Sequence, residues 1–379
     1  MRIYEEVRAL ARYGVQTEIV TYPSGNDLPG ITIRRAPRIC GANARPLGPG
    51  YARPLLDLAL IGTGLRAARR FRPQVLHAHL HEGIVVGVAI RRAIGTPLVA
   101  DLQGSLSEEL IDHNFLNPSG RAVRLMRSFE RWLLHQPDAL VSSSATGAAL
   151  LEAQGVPAAR IESLPDGVDL DVFRPMRKDA ALVERFHLQG KRVVVFLGVL
   201  TEYQGVDALL AAVPQVVRRV PQAHFLIFGY PNEEKYRELV RAAGLGAHVT
   251  LPGRIPYAEA ARHLALGDVA VSAKQSLTEA NGKLLNYMAC GLPVAATDTP
   301  VNREILGDLG VFSPVGDTAA LASSLVELLG DPTRLTQLGL ALRQRAEAEF
   351  PWEAVTKRLL SVYRRVARSA TPQPHAAQL

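Results

Sequence analysis

The chain has 379 residues, of which 47% are hydrophobic and 21% charged, and its net charge is +7. Single hydrophobic cores rarely grow beyond roughly 250 to 300 residues, so two domains are expected. No apolar run approaches the ~20 residues that span a bilayer, and charged residues follow Met1 at once, unlike a secretory signal. The distant Cys40 and Cys290 support no disulfide framework and no cysteine metal site. We therefore expect a cytoplasmic globular protein. No nucleic-acid partner is expected, because no recognition module is legible.

Short apolar runs alternate with helical patterns from one end of the chain to the other. An amphipathic helix is predicted over residues 1–13. The strands predicted after it are 16–20, 75–78, 97–102, 139–142, 192–200, 223–228, 249–251, 269–272 and 293–296. Such alternation predicts an α/β fold of two doubly wound domains with parallel sheets. Their ligand-binding residues should follow the strands at a shared cleft.

The two sets of strands are separated by a Pro- and Gly-containing connection that begins at Pro165. We predict a first domain over residues 1–170, a second over 171–350, and a C-terminal helix and disordered tail over 351–379. A mobile loop is predicted over 36–54. A doubly wound domain normally opens with a strand and a Gly-rich turn, whereas this chain opens with a helix. The first sheet is therefore expected to lack its usual N-terminal strand.

The segment from 272 to 298 carries the strongest local pattern. The turn Asn281-Gly282 leads into a predicted helix over 283–290 and then into the strand 293–296. Free N–H groups at a helix start favour a phosphate, and Lys283 adds a full charge there. The alternative is an ordinary turn with a solvated lysine, because short Gly motifs match by chance.

Three histidines alternate in HAHLHEG, namely His77, His79 and His81. On a strand they would share one face, which suggests a metal site, a sugar or acceptor contact at His79 or His81, or structural roles. Glu82 is the only acidic residue beside them in sequence, so a metal is the least favoured of the three. An Asp169-Leu170-Asp171 sequence resembles a metal-binding pair, but the interdomain connection explains it better.

A basic helical pattern repeats Arg121, Arg124, Arg127 and Arg131 among bulky apolar residues. One interpretation is an amphipathic helix docked on its own sheet with the arginines outside. The other is a helix that lies on an anionic membrane surface, which would make the protein peripheral at the inner face of the membrane.

Six short motifs, in this order and spacing, resemble the retaining glycosyltransferases of family 4 over almost the whole chain. They are LPDGVD (164–169), FLG (196–198), LIFG (226–229), LPGR (251–254), MACGLPV (288–294) and FPW (350–352). The resemblance implies two Rossmann-like domains of the GT-B type. It implies transfer of a sugar from a nucleotide-sugar to a glycan or lipid-linked acceptor, as in polysaccharide biosynthesis. It further implies retention of configuration, no metal or other cofactor, and an acceptor hydroxyl deprotonated by the leaving phosphate.

The chain departs from the family pattern where charge matters. Val199 and Gln204 stand where the family usually has an Arg and a Lys that neutralise the diphosphate. Asn286 replaces the Glu that usually binds the ribose, and Gln103-Gly104 replaces a His-Gly pair in the first domain. Glu279 lies one position closer to Asn286 than the matching Glu of the family.

From this resemblance we predict catalytic roles for Glu279, Lys283, Gln103 and Asp101. Glu279 would bind the transferred sugar or only balance two lysines; Asp101 would contact sugar or acceptor, or cap a turn. The predicted donor-binding residues are Gly198, Tyr203, Gln204, Arg254, Ile255, Lys274, Asn281, Gly282, Leu284 and Asn286. Among them Lys274, with Lys283, would replace the lost charges, and Tyr203 or Arg254 with Ile255 would border the nucleobase.

Two alternatives stay open at this point. The lost basic pair fits a binding protein that keeps the fold with weakened catalysis. An epimerase of nucleotide-sugars with the same architecture would share the fold and need no acceptor.

Overall fold

The computed structural model describes residues 2–39, 53–112, 117 and 119–370. These residues form two compact units. The first contains residues 2–165, the short segment Thr278–Ala280 and the described chain from Val355 onward; the second contains Asp166–Leu277 and Asn281–Ala354. The bounds predicted at 170 and 350 fall a few residues from these divisions. Most of the predicted loop 36–54 and the tail 371–379 lie outside the described residues.

The first unit holds a four-stranded parallel sheet of order β3-β4-β5-β6 and a separate parallel pair, β1-β2. Its strands are β1 Glu18–Thr21, β2 Thr32–Arg35, β3 Leu76–His79, β4 Leu98–Leu102, β5 Ala139–Ser142 and β6 Ile161–Ser163. Its helices are α1 Arg2–Arg12, α2 Arg53–Phe71, α3 Leu80–Ile94, α4 Leu106–Asp112, α5 Arg121–Leu134 and α6 Ala145–Ala153. No described strand joins the two sheets.

The second unit is built on one six-stranded parallel sheet of order β12-β11-β10-β7-β8-β9. Its strands are β7 Arg192–Val199, β8 Ala223–Tyr230, β9 Val249–Gly253, β10 Val269–Ser272, β11 Val294–Thr297 and β12 Val311–Ser313. Its helices are α7 Ala180–Arg185, α8 Val206–Arg219, α9 Glu233–Ala242, α10 Ala260–Leu264, α11 Lys283–Ala289, α12 Pro300–Leu306, α13 Thr318–Gly330 and α14 Pro332–Glu349. The last helix, α15 Trp352–Ala370, belongs to the first unit from Val355 onward. The predicted α/β class with parallel sheets is confirmed.

Three strands were missed by the sequence analysis, namely β2, β6 and β12. Each has only three or four residues, and none of them is fully buried along its length. Strands of this kind lack the continuous apolar run that marks a strand buried on both faces. The central strands were found because they carry such runs.

Both faces of the second sheet are covered, and the side chains of β7 show how. Val193 and Val195 pack in one apolar cluster, whereas Val194 and Phe196 pack in another. Successive side chains of a strand point to opposite faces, so an uninterrupted apolar run is needed to fill both layers. Within the described part of the chain, no helix is both long and apolar enough to cross a bilayer.

Gly205 fixes the turn between β7 and α8 against the residue that follows β10. Its φ is +79°, and a Cβ built on it would lie 1.9 Å from the carbonyl oxygen of Ala273. Glycine is therefore required both for the backbone conformation and for the close approach of two backbone segments. This approach brings the loop after β7 beside the loop after β10.

We expect Gly205→Ala to lower stability by about 3 kcal/mol, because it combines a left-handed conformation with a backbone clash. Gly190→Ala is the matched control, since Gly190 has a φ of +68° and a Cβ added there would meet no atom within 4 Å. The control should cost only about 1 kcal/mol. Urea unfolding midpoints of the two variants measure the difference. Equal midpoints would contradict the close approach at Gly205.

Candidate functional site

The loop after β10 is held at both ends by buried hydrogen bonds. The Asn281 amide donates to Ser272 Oγ (3.0 Å) and to Asn302 Oδ1 (2.7 Å). Near the other end, Thr297 Oγ1 donates to the carbonyl of Lys274 (2.5 Å). Both amide protons of Asn281 are thus used within the protein, so its predicted part in donor binding rests on its carbonyl oxygen, which is buried without a hydrogen-bond partner among the described residues.

Lys283 lies where β7 ends, together with two other predicted donor-binding residues. Its Nζ donates to Gln204 Oε1 at 2.6 Å and lies 4.6 Å from the centre of the Phe196 ring. A Cβ on Gly198 would be 3.0 Å from the same nitrogen, so glycine leaves room for the lysine. The structure therefore brings Lys283 together with Gln204 and Gly198, although Lys283 lies 79 residues from Gln204 in sequence.

Lys274 is buried beside Lys283. Its Nζ lies 5.5 Å from the centre of the Tyr203 ring, and the side chain is 3% exposed. Burial lowers the pKa of Lys274 well below its ordinary value of 10.5, and the charge of Lys283 lowers it further, whereas Asp166 raises it. A buried lysine whose charge is further disfavoured by a second lysine favours an anion as ligand, because an anion stabilises both charges.

Two residues predicted to border the nucleobase, Arg254 and Ile255, have defined neighbours in the structure. The exposed Arg254 places its guanidinium 4.8 Å from the centre of the Tyr230 ring, and the half-buried Ile255 packs against the core. Tyr230, at the end of β8, was not predicted, because a strand-end tyrosine has no pattern that distinguishes it from a core residue. The sequence also missed Thr201, whose Oγ1 is buried without a hydrogen-bond partner in the described chain.

The remaining donor-binding predictions fall on α11 and its start. Leu284 is fully buried in the core, and its N–H donates to the carbonyl of Asn281. A Cβ on Gly282 would lie 2.7 Å from Asp166 Oδ2, so a larger residue there would force the Asp166 side chain to shift. Asn286 is half-buried on the same helix. A part for the Leu284 side chain in donor binding has no support in this geometry, and the roles of Gly282 and Asn286 stay predictions.

Glu279 and Gln103 belong together in the first unit. The segment Thr278–Ala280 is part of that unit, and the N–H of Ala280 donates to the Gln103 carbonyl at 3.2 Å. A Cβ on Gly104 would be 3.7 Å from the Cβ of Glu279. Both side chains are half-buried, which leaves them surface for a ligand. Their predicted contacts with sugar or acceptor stay predictions.

Asp101 differs from its predicted environment. It was expected at an open strand end, as a substrate contact or a turn cap, but it is 1% exposed and pairs with Arg2 Nε at 2.8 Å. The sequence could not indicate this pair, whose members are 99 residues apart. A carboxylate enclosed in this way has no surface with which to meet a substrate.

The three alternating histidines do not share one strand face. His77 and His79 lie on β3, whereas His81 is already in α3 and has its Nε2 3.3 Å from Glu130 Oε1. Glu82 is the only acidic residue beside the histidines in sequence, but in the fold Glu6 and Asp101 gather around His77 and His79. Burial lowers the pKa of His79 to about 3.

The basic helix α5 exposes apolar as well as charged side chains. Val123, Glu130, Leu133 and Leu134 are buried, so the helix is docked as one interpretation predicted. However, Leu125 is 75% exposed, Trp132 48% and Phe129 40%. These three occur at helical positions i, i+7 and i+4, so they share one outward stripe.

Lys274 should make stability depend on pH. Because its folded-state pKa is depressed, the unfolded chain binds more protons between that value and 10.5, and stability rises with pH through this window. We expect Lys274→Met to be more stable than the unsubstituted chain at pH 7, with a gap that narrows towards pH 10. Thermal unfolding midpoints across this range measure the gap. Lys235→Met, at an exposed position, is the control. If the difference in unfolding midpoint between Lys274→Met and the unsubstituted chain did not change with pH, the lowered pKa of the buried Lys274 would be contradicted.

Two family descriptions match the two halves of the chain. The "Glycosyl transferase 4-like domain" matches residues 1–167 and "Glycosyl transferases group 1" matches residues 191–331. Among solved structures, the fold is similar to sucrose-phosphate synthase from Thermosynechococcus elongatus, with a TM-score of 0.80, 20% identity, and 97% and 93% of the two chains covered. Anabaena HepE, solved with UDP-glucose, gives a TM-score of 0.73 at 14% identity over 92% of this chain and 100% of that one.

Relatives in sequence include two named enzymes. D-inositol 3-phosphate glycosyltransferase of Rhodococcus erythropolis is 30% identical, over 94% of this chain and 84% of that protein. The GDP-mannose-dependent alpha-(1-6)-phosphatidylinositol monomannoside mannosyltransferase of Mycolicibacterium smegmatis is 32% identical over 56% and 59% of the two. This identity across most of both chains, on a fold of the GT-B type, shows that the chain belongs to the group 1 (family 4) glycosyltransferases that use nucleotide-sugar donors.

Proposed function

We propose that the chain transfers a sugar from a nucleotide-sugar to an inositol phosphate or a lipid-linked glycan, with retention of configuration and without a metal. The observation that carries the donor half of this proposal is the pair of neighbouring lysines, Lys274 and Lys283, at the ends of β10 and β7. The acceptor class rests on the named relatives, which act on inositol phosphate and phosphatidylinositol mannosides.

Lys283 stands in for a charge that the family normally supplies elsewhere. Gln204 occupies the position of the family's Lys, and the Lys283 ammonium lies 2.6 Å from the Gln204 side chain. A cation therefore sits beside the place where the usual Lys side chain begins. The loss of the basic pair is offset in this way, so the missing Lys does not by itself argue for an inactive binding protein.

The chemical part of the two lysines would be to stabilise the leaving group. Negative charge on the diphosphate grows as the bond to the sugar breaks, and cations held in a dry site stabilise that charge without rearranging. Their side chains are already fixed, Lys283 by Gln204 and Phe196 and Lys274 by burial. The backbone at Gly198 would let the phosphates approach closely.

Retention would need no side-chain nucleophile. In the proposed reaction the acceptor hydroxyl attacks on the face that the diphosphate leaves, and a phosphate oxygen takes the hydroxyl proton. Glu279 and Gln103 would bind hydroxyls of the sugar or acceptor, a role suited to half-buried carboxylate and amide groups.

The exposed face of α5 supports a peripheral position on the cytoplasmic surface of a membrane. Leu125, Phe129 and Trp132 form an apolar stripe, and arginines lie on the same helix. Apolar side chains that enter the headgroup region beside basic residues are typical of interfacial helices. Such a position would bring the enzyme to a lipid-linked acceptor.

We expect Lys283→Ala to lower kcat for donor turnover by about 100-fold or more, because one well-placed donor to the leaving group is worth roughly 3 to 4 kcal/mol. Release of nucleoside diphosphate from a panel of common nucleotide-sugars measures the effect. Lys235→Ala, an exposed lysine on α9 of the same unit, is the control and should retain activity. Unchanged turnover in the Lys283 variant would refute the proposed donor site.

The same assay separates the other functions. If the unsubstituted chain released no nucleoside diphosphate from any donor offered with inositol phosphate or lipid-linked glycans, a binding protein would be favoured. Conversion of the donor sugar to its epimer without an acceptor would favour an epimerase.

Membrane contact is tested with Arg124→Glu plus Arg127→Glu. Each basic residue near an anionic surface contributes about 1 kcal/mol, so the double variant should bind phosphatidylserine vesicles at least about thirtyfold more weakly. Trp132 fluorescence should shift to the blue with anionic vesicles and not with phosphatidylcholine alone. Arg218→Glu plus Arg219→Glu, an exposed pair on α8, is the control for net charge. Equal vesicle binding by both variants would exclude α5 as the contact.

A further inference from the structure

Four side chains from three elements of the first unit converge in its interior. Glu6 comes from α1, His77 and His79 from β3, and Asp101 from β4. Their ligand atoms all lie within 4.8 Å of one another. Glu6 and Asp101 are buried, and the two histidines are nearly so. Nothing in the transfer reaction proposed above uses this group.

Three polar atoms in this group have no hydrogen-bond partner among the described residues. They are His77 Nε2, His79 Nδ1 and Asp101 Oδ1. A buried polar atom without a partner costs free energy, so three of them in one place indicate a ligand that supplies the missing interactions. Two imidazole nitrogens and one carboxylate oxygen match a common ligand set of divalent transition metals.

The spacing suits one metal ion. One ligand atom from each of the four side chains lies within 4.8 Å of the others, and the Asp101 carboxylate reaches within 3.9 Å of His77 Nε2 and 3.8 Å of His79 Nδ1 through its Oδ2. Ligands about 2.0 to 2.1 Å from a tetrahedral ion are about 3.4 Å apart, so ligand atoms within 4.8 Å of one another need an inward shift of up to about 1 Å, with Asp101 Oδ1 turned towards the ion. Movements of that size lie within rotation of the three side chains.

The surrounding groups orient the ligands. Glu6 Oε1 lies 3.0 Å from His77 Nδ1, so a proton on Nδ1 is held by the carboxylate and the lone pair of Nε2 is presented to the ion. This carboxylate–histidine arrangement is the usual support for a metal-binding histidine. Arg2 Nε donates to Asp101 Oδ2 at 2.8 Å, which leaves Oδ1 for the ion, and the Tyr363 hydroxyl lies 2.6 Å from His77 Nδ1. Two carboxylates and one arginine leave one negative charge beside the ion.

We propose that His77, His79 and Asp101 bind one divalent transition-metal ion, with Glu6 and Arg2 as supporting residues. Imidazole ligands favour Zn²⁺ and its neighbours over Mg²⁺ and Ca²⁺. The site lies wholly in the first unit and is independent of the sugar transfer. A metal here would tie α1 to β3 and β4, because its ligands and their supports come from all three.

For the test, the full chain is first freed of metal by dialysis against a chelator. It is then titrated with Zn²⁺ in the presence of a chromophoric chelator, which competes for the ion. We expect one tight Zn²⁺ per chain, no competition from Mg²⁺, and a rise in the thermal unfolding midpoint on binding. His79→Gln and Asp101→Asn should each weaken Zn²⁺ binding by at least about tenfold. His135→Gln, whose ring is exposed and bonded to backbone oxygens, should leave the tight site intact.

Two results would overturn the proposal. One is a chain without a tight Zn²⁺ site; the other is a tight site that survives both His79→Gln and Asp101→Asn. If these variants do not fold, X-ray absorption of the Zn²⁺-loaded, unsubstituted chain decides. A Zn²⁺ ion with two imidazole ligands and oxygen ligands would confirm the site. A Zn²⁺ ion with any other number of imidazole ligands would contradict it.

Discussion

Donor binding depends on two lysine side chains, Lys274 in the loop after β10 and Lys283 at the start of α11, whose charges act on each other. Burial disfavours the charge of Lys274, and the neighbouring charge of Lys283 disfavours it further. The fold maintains this arrangement through Gly205, which lets the loop after β7 approach Ala273, and through Asn281, which ties the loop after β10 to its sheet. Such a local cost is expected where a protein stores a site for an anion, since binding of the anion relieves it.

The parallel sheets could be predicted from sequence because their central strands are buried on both faces. The side chains of residues 193–196 pack alternately in two apolar clusters, one on each face of the sheet. Such packing requires a continuous apolar run in the sequence. Lys283 was predicted from the Gly-containing turn and helix start, and Lys274 from its place in the same loop, because the usual basic pair is missing. The hydrogen bond from Lys283 to Gln204 could not be predicted, because Gln204 lies 79 residues away. In sequence, Gln204 showed only that the lysine usual at that position is missing.

Errors in the sequence analysis fell where contacts join remote segments. Asp101 follows the pattern of an open strand end, and nothing near it in sequence indicates that Arg2 encloses it. His81 has the spacing of a strand residue, but α3 begins before it. Glu6 lies 71 residues before His77, so the group that it completes has no sequence pattern. Periodicity reports which face a residue shares, and it does not report which distant element covers that face.

The most direct measurement is a crystal structure with a bound nucleoside diphosphate, the product of donor cleavage. The account predicts a terminal phosphate within hydrogen-bond distance of Lys283 Nζ, with Lys274 near the same phosphates and the Gly198 backbone beside them. A diphosphate that lies elsewhere, out of reach of both lysines, would contradict the account.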